Sequence, residues 1–288
     1  MTETPRRPSD DPLAPGLYVA ATPIGNLGDA SARLLDVLRR ADGVLCEDSR
    51  VTGKLLSAFG IENRLQPYHD HNGARVRPGV LDRLRSGAAL VLVSDAGTPL
   101  VSDPGYKLVR EVRAAGLRVH AVPGPSAPLA ALMVSGAPSD RFSFHGFLPR
   151  TQKARRDLFT SLGGRDETLL FFETAPRLAS ALSDLADALG PRTVSIAREL
   201  TKRYEEVVEG EAAELAAAYE AAPPKGEIVL IVHPAEAAAP PDEESVDRQL
   251  REALRTHRVK DAAAFVAEAT GLPRRGLYAR AQALKDEG

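Results

Sequence analysis

The sequence predicts an α/β protein made of two α/β domains and a small helical C-terminal extension. Strand-like apolar runs and helix-like segments alternate from residue 16 to about residue 232, which is typical of proteins with largely parallel sheets. The clearest single signal is segment 94–105, which places two Gly, two Pro and two Asp directly after the apolar run 88–93. Such a turn at the carboxyl end of a buried strand is where open α/β sheets place ligands.

The first half of the chain contains five strand patterns separated by helices. The strands are expected at 17–21, 43–46, 64–68, 88–93 and 118–122. The helices are expected at 32–40, 52–59, 80–85 and 107–115, and a fifth helix opens at the bend 123–127.

A second cycle begins near residue 141 and passes through the basic segment 150–156. Its strands are expected at 141–145, 168–172, 193–197, 205–208 and 227–232, with a helix at 176–189. Because no helix of useful length is predicted between the last three strands, we expect an antiparallel arrangement there.

These patterns divide the chain into five parts. They are a disordered tail (1–15), an N-terminal α/β domain (16–138), a C-terminal α/β domain (139–234), a Pro- and Ala-rich linker (235–244) and a helical extension (245–288). The last two helices of the extension, 260–269 and 273–285, have helix-turn-helix spacing with Gly271 in the turn. A helical hairpin and a nucleic-acid contact both explain that spacing.

Composition excludes several classes of protein. The net charge is −2, hydrophobic residues make up 43% of the chain, and no apolar run approaches the roughly 20 residues of a membrane span. We therefore expect a soluble cytoplasmic protein without membrane association. The single cysteine, Cys46, excludes an internal disulfide and lies in an apolar strand. No metal site is expected, because the local pair His69 and His71 has no evident third ligand.

Polar or glycine-containing segments follow the predicted strands at six places. They are 22–27, 47–50, 94–105, 123–127, 172–174 and 197–199. Neither a P-loop nor a dinucleotide fingerprint is present. In segment 47–50, the two acids and one base are explained equally well by a site or by an N-cap at Asp48 or Ser49 with a local ion pair.

Taken together, the segments resemble the tetrapyrrole-methylase superfamily, the class III S-adenosylmethionine-dependent methyltransferases, and within it the ribosomal RNA 2′-O-ribose methyltransferases. The resemblance rests on LYVAATPIGNLGD (17–29), CEDSR (46–50), LVSDAGTPLVSDPG (92–105), VPGPSA (122–127), FHGFLPR (144–150), FFETAPR (171–177) and ARELTKRYEE (197–206). Residues 174–177 depart from it where Ser-Pro-His or similar is expected. It implies S-adenosylmethionine in a cleft between two α/β domains, a homodimer, and a 16S RNA substrate in the 30S subunit, methylated at cytidine 1402.

The same resemblance implies the residues that contact S-adenosylmethionine. Asp95, Gly97 and Val101 would face its amino-acid and ribose portions, and Ser126 and Ala127 its polar end. Phe172, Ala197 and Gly226 would lie on the adenine side. Pro23, in the turn after the first strand, is also expected at the cofactor.

Methyl transfer to a ribose hydroxyl requires alignment of the hydroxyl and removal of its proton. Glu47, Asp48 and Glu199 are the candidate bases, unranked. The expected phosphate contacts are Arg50, Lys153, Arg155, Arg156, Arg198, Lys202 and Arg203. For the cluster 153–156, a solvated helix face is an equally good explanation.

Two other functions remain open from the sequence. One is a methylase of the same fold that acts on a tetrapyrrole or on a modified histidine of a protein (the diphthine type). The other is a non-catalytic ribosome-associated binding module. Binding of S-adenosylmethionine separates the last from the enzymes, and transfer of labelled methyl to RNA or to small acceptors separates the enzymes from each other.

Overall fold

The computed structural model describes residues 12–235 and 242–286. It divides into two compact units, Met1–Pro234 and Ala235–Gly288. The first unit contains two five-stranded sheets, which confirms the predicted α/β class. Most of the predicted tail (1–11) and linker (236–241), and the last two residues, lie outside the described part.

The first sheet is entirely parallel, with strand order β3-β2-β4-β1-β5. Its strands are β1 (Gly16–Ala20), β2 (Gly43–Cys46), β3 (Leu65–Pro67), β4 (Ala89–Leu92) and β5 (Val119–Val122). Its helices are α1 (Ala32–Arg40), α2 (Ser49–Ala58), α3 (Gly73–Arg85), α4 (Tyr106–Ala114) and α5 (Ala127–Val134). Every residue of β2 and β4 is buried, which explains why these strands read as continuous apolar runs.

The second sheet is mixed, with strand order β6-β7-β10-β8-β9. Its strands are β6 (Phe142–Phe147), β7 (Thr168–Thr174), β8 (Thr193–Arg198), β9 (Glu206–Glu211) and β10 (Glu227–Val232), with helices α6 (Gln152–Leu162), α7 (Leu178–Leu189) and α8 (Ala212–Ala221). β6 and β7 are parallel, and all other pairs are antiparallel, as expected for β8, β9 and β10.

Three helices differ most from the prediction, and one of them, α6 (Gln152–Leu162), was expected only as the basic segment 150–156. The expectation that no useful helix separates the last strands is wrong, because the ten-residue α8 lies between β9 and β10. Six of its ten residues are alanine, so its apolar periodicity is weak, and it packs through Ala212 and Ala216, one turn apart, with Leu215 and Tyr219 beside them. Helix α3 begins at Gly73, seven residues before the predicted start, and continues through Pro78, a residue type that commonly marks a helix boundary.

A buried ion-pair network joins α6 to α7 and corrects one predicted RNA contact. The Asp184 carboxylate, which is fully buried, accepts hydrogen bonds from Arg155 Nε at 2.9 Å and Nη2 at 2.6 Å. It also accepts from Arg156 Nε at 2.8 Å and from Gln152 Nε2 at 2.9 Å. Because the Arg155 side chain is only 7% exposed and already paired, it has no surface for a phosphate, and Arg155 is removed from the predicted RNA contacts.

The second unit is built from the three predicted helices. They are α9 (Glu243–Leu254), α10 (Val259–Thr270) and α11 (Arg274–Asp286). They share a core of their own that includes Leu250, Ala262 and Ala281. Gly271 ends α10 in the left-handed conformation, with φ of 69°. Across residues 12–235 and 242–286, no helix is long and apolar enough to cross a bilayer.

Candidate active site: a cleft lined by both sheets

A cleft of about 600 Å³ lies within the first unit and is lined by residues of both sheets. The first sheet contributes the loops that follow β1, β4 and β5, and the second sheet contributes the ends of β7 and β8 and the start of β10. Seven of the nine residues predicted to contact the cofactor line it: Gly97, Val101, Ser126, Ala127, Phe172, Ala197 and Gly226.

The loop after β4 is held in an unusual backbone conformation. Gly97 has φ of 78° and pairs with Thr22 through two backbone hydrogen bonds of 2.9 and 3.1 Å. Leu100 and Ser102, on either side of Val101, have φ of 75° and 63°, which is rare for residues with side chains. Strained backbone of this kind persists where the surrounding structure enforces it, commonly at ligand sites.

The opposite wall depends on a clamp formed by Lys202. Its ammonium group donates to Glu199 Oε1 and to Glu227 Oε2, each at 2.9 Å, and its stem packs over Gly25. A Cβ on Gly226 would collide with the Glu199 side chain. Glu199 itself has φ of 49°. These contacts hold the end of β8 and the start of β10 against the loop after β1. Lys202 therefore maintains the shape of the cleft.

Pro23 and Asp95 are not among the residues that line the cleft. The Asp95 carboxylate instead accepts a hydrogen bond of 3.0 Å from the backbone N–H of Asp48. This bond ties the loop after β4 to the turn after β2. Asp95 is therefore placed to hold the turn that carries Glu47 and Asp48.

A carboxylate that the sequence analysis did not select lies in the cleft. Asp103 lines it and is half-buried, and burial, opposed by a hydrogen bond from Ser94 and assisted by the Asp95 charge, raises its pKa. Glu47, also half-buried, has its pKa raised by burial and by the charges of Asp103, Asp95, Asp70 and Asp48. The second Asp of segment 94–105 was a visible signal, but a sequence does not show which of the two faces the cleft.

The other two predicted bases are engaged elsewhere. Asp48 caps α2 through the N–H of Arg50, and its bonds to Arg50 hold its pKa at about 2. This is the N-cap alternative stated above. Glu199 accepts from the N–H of Glu227 and from Lys202, which together lower its pKa, and it does not line the cleft. A strongly acidic carboxylate is a weak base, so neither suits proton removal.

One further buried carboxylate lines the cleft. Glu173 is 2% exposed, and its Oε1 accepts a hydrogen bond of 2.7 Å from the N–H of Thr174. Its Oε2 lies 3.2 Å from Arg177 Nη2, without hydrogen-bond geometry. The same Arg177 nitrogen donates to the carbonyls of Leu148 and Pro149. Arg177 thereby anchors the segment that follows β6.

The basic candidates differ in accessibility. Arg50 and Lys153 are 86% and 87% exposed, and each pairs with a nearby Asp on its own helix or cap. Arg156 is 42% exposed and pairs with Asp184 and Asp187, whereas Arg198 is 21% exposed and pairs with Glu206.

Among the exposed cations for which the described residues supply no ion pair are Arg150, Arg203 and Lys225. The Arg203 guanidinium lies 5.5 Å from the centre of the Tyr204 ring, and Lys225 lines the cleft. Arg150 and Lys225 were not selected from the sequence. In the same part of the chain, no group of three or more His, Cys, Asp or Glu has the arrangement of a metal site.

Two family models match the chain. Tetrapyrrole (Corrin/Porphyrin) Methylases match residues 16–216, and the RsmI C-terminal HTH domain matches residues 239–285. The curated protein "Ribosomal RNA small subunit methyltransferase I" of Erythrobacter litoralis is 52% identical over 96% of this chain and 98% of its own length. The protein of that name from Mesorhizobium japonicum is 47% identical over 99% of this chain and 96% of its own length.

Solved structures share the fold at low identity. Diphthine synthase aligns with a TM-score of 0.58 and 18% identity over 75% of this chain and 89% of its own. The uroporphyrin-III C-methyltransferase of Thermus thermophilus, complexed with S-adenosylhomocysteine, aligns with a TM-score of 0.53 and 17% identity over 76% of this chain and 97% of its own. From the family match over most of its length and the near full-length relatives, the chain belongs to the tetrapyrrole methylase family.

Proposed function

We propose that this protein uses S-adenosylmethionine to methylate the 2′-hydroxyl of a cytidine in the 16S RNA of the small ribosomal subunit, cytidine 1402, in the cytoplasm. The observation that carries this proposal is the cleft, which is lined by seven of the nine residues that the sequence predicts at the cofactor. The relatives are named as ribosomal RNA small subunit methyltransferases, which supports RNA as the acceptor.

The residues of the cleft fit the proposed cofactor. Its volume of about 600 Å³ lies within the range of small-molecule sites. Ser126 is the N-cap of α5 and makes no side-chain cap bond, so backbone N–H groups in the first turn of the helix can donate hydrogen bonds to a carboxylate of the ligand. Phe172 and Ala197 supply apolar walls suited to an adenine ring. S-adenosylmethionine, when bound, supplies a methyl group activated by the sulfonium.

The transfer is a single displacement. The ribose 2′-oxygen forms the new O–C bond as the S–CH₃ bond breaks, the bonding pair stays on sulfur, and the hydroxyl proton passes to a carboxylate. Because the donor is already activated, the protein mainly aligns the hydroxyl and accepts its proton.

We assign the proton acceptor to Asp103, which lines the cleft, in preference to Glu47, which is not among the lining residues. Like charges disfavour ionisation of neighbouring carboxylates, so the Asp95 charge favours proton uptake at Asp103. A raised pKa brings a carboxylate closer to neutral pH, where a general base works best. Asp48 and Glu199 are the poorer candidates for the reasons given above.

Phosphate contacts are assigned first to three exposed cations that have no ion pair in the described residues, Arg150, Arg203 and Lys225, and then to Arg50 and Lys153. An ion pair at the protein surface contributes little to stability, so Arg50 and Lys153 can exchange their partner carboxylates for phosphates of the RNA. Lys202 and Arg198 are held by carboxylates at the cleft wall. We assign these two residues to maintaining the geometry of the site and not to binding RNA phosphates.

We also propose a homodimer, supported by an apolar face on α5. Leu129, Met133 and Val134 are 50%, 84% and 47% exposed, while Ala131 and Leu132 on the other side pack into the core. Exposed apolar patches mark association sites, and a second copy of this chain is the partner we propose. Light scattering should give about twice the 30.7 kDa monomer mass, and Met133→Glu should shift it toward the monomer. A wild-type mass near 30.7 kDa would contradict the dimer.

The proposed activity is tested by methyl transfer from tritiated S-adenosylmethionine. We expect label on 16S RNA in 30S subunits that lack the modification, and none on free cytidine, which offers no phosphate contacts beyond the nucleoside. Alkaline hydrolysis identifies the position, because a 2′-O-methyl group blocks cleavage at its own phosphodiester.

The same assay contains the competing outcomes. Label on a tetrapyrrole or on a protein, with the subunits unlabelled, would favour a methylase that acts on that acceptor. Absence of S-adenosylmethionine binding by calorimetry would favour a binding module instead. Either result would refute the proposed function.

A further inference from the structure

An exposed aromatic ring stands at the edge of the cleft. Phe147, the last residue of β6, lines the cleft and is 57% exposed. Its ring lies 5.2 Å, centre to centre, from that of Phe172, which in turn packs against Phe144 at 4.8 Å. Phe147, Phe172 and Phe144 thus form an aromatic cluster that opens onto the cleft.

A β-bulge directs this ring into the cleft. Phe144 pairs with Leu170 and Phe147 with Phe172, so β6 contains one more residue than β7 between these pairs. In a regular strand, residues three apart point to opposite faces, but the extra residue places both Phe rings against Phe172. Gly146 provides the left-handed conformation of the bulge, with φ of 70°. Bulges often reorient a side chain next to an active site.

The position of Phe147 separates it from the proposed cofactor walls. In the sheet order β6-β7-β10-β8-β9, Ala197 is on β8, Phe172 is on β7, and Phe147 is on the edge strand. At about 4.8 Å between strands, the strand of Phe147 lies roughly 14 Å from that of Ala197. The walls assigned to adenine span β8 to β7, and Phe147 lies one strand beyond them.

The neighbours of Phe147 are those expected around an acceptor nucleotide. A Cβ on Gly146 would lie 3.3 Å from Ser102 Oγ, so this corner of β6 touches the loop that carries Asp103. Arg150, three residues further on, is exposed and has no ion pair in the described part of the chain. Phe147 thus adjoins the loop that carries Asp103, and the exposed Arg150 follows three residues along the chain, so this corner offers an apolar face, a carboxylate and a cation for the base, hydroxyl and phosphate of one nucleotide.

We propose that Phe147 is the stacking platform for the target base, which is turned out of the RNA so that its ribose 2′-hydroxyl reaches Asp103. This inference rests on the proposed function. Sequence-specific RNA proteins stack splayed-out bases on aromatic side chains, and such stacking contributes about 1–3 kcal/mol per base in alanine substitutions. Phe147 would therefore set how well a pyrimidine is held during transfer.

The test measures kcat/KM on unmodified 30S subunits and, separately, S-adenosylmethionine affinity. We expect Phe147→Ala to lower kcat/KM roughly 5- to 150-fold, the equivalent of that stacking energy, while affinity for S-adenosylmethionine stays within about twofold. Phe147→Leu keeps the apolar bulk but has no π face, so its kcat/KM should fall by a similar factor. Phe147→Trp should retain activity. The matched control is Phe142→Ala, at the other end of β6 and 42% exposed, which should behave as wild type.

The outcomes separate this inference from the proposed function. Wild-type protein that leaves subunits unlabelled refutes the function itself. Labelling by wild type with equal kcat/KM for Phe147→Ala overturns only the stacking role. A tenfold or larger loss of S-adenosylmethionine affinity in Phe147→Ala also overturns it, because the ring would then belong to the adenine site. Full activity in Phe147→Leu would show apolar packing and not stacking.

Discussion

Replacing Asp103 by Asn is expected to lower kcat for methylation of 30S subunits by about 10²- to 10⁴-fold, the usual contribution of a general base. The amide keeps the size of the side chain but cannot accept the proton of the ribose hydroxyl. S-adenosylmethionine affinity, measured by calorimetry, should change by less than about threefold if Asp103 acts on the acceptor. A loss of affinity as large as the loss of kcat would identify Asp103 as a cofactor ligand and contradict the assignment.

The pH dependence of the same reaction distinguishes Asp103 from Glu47. A base must be deprotonated, so kcat should fall as pH drops through the raised pKa of Asp103, above the pH at which an ordinary Asp would lose activity. Glu47→Gln leaves Asp103 and the neighbouring Asp95 charge in place, so this acidic limb should remain in that variant. In Asp103→Asn the limb should vanish. Loss of the limb in Glu47→Gln would identify Glu47 as the base and contradict the assignment to Asp103.

Replacing Asp184 by Ala is expected to cost about 3–5 kcal/mol of unfolding free energy in the α/β unit, the range for a buried pair that loses one partner. The change leaves Arg155 buried without a carboxylate and removes an acceptor from Arg156 and Gln152. Denaturant unfolding followed by circular dichroism measures the difference. The matched control is Asp157→Ala, which breaks the exposed pair with Lys153 on α6 and should cost about 0.5 kcal/mol or less.

The stabilisation that Asp184 contributes to the folded state should decrease as the pH falls. Burial raises its pKa, but the hydrogen bonds from Gln152, Arg156 and Arg155 outweigh burial, and the pKa is lowered. A carboxyl with a lowered pKa stabilises the folded state above its unfolded pKa, and this contribution is lost as pH falls through the folded pKa. The difference between wild type and Asp184→Ala should thus be full at neutral pH and shrink in acid. Equal stability of the two proteins at neutral pH would contradict the network.

Much of the fold follows from local patterns. Strands β2 and β4 are buried on both faces, so their sequences are apolar at every position and cannot be mistaken for surface strands. Helix α1 has an N-cap Ser31 and an apolar stripe, and it was predicted to the residue. Helix α8 has no side-chain hydrogen bond at its N-cap. Its many small alanine side chains define only a weak apolar face, so the helix is recognised from its packing.

The sequence by itself determined the resemblance to the family, the α/β fold class and the position of a site at the ends of strands. Turns and buried strands are specified by residues close together in the chain, which is why these features could be predicted. Only the tertiary structure decided the role of each charge. Asp184 is 29 residues from Arg155, and Lys202 meets Glu227 across 25 residues, so neither pairing is visible locally. Whether Asp95 or Asp103 faces the cleft depends on left-handed residues in the loop, at Leu100 and Ser102, whose side chains do not favour that conformation. Such a conformation is imposed by distant contacts, and contacts between distant residues are what a chain acquires only on folding.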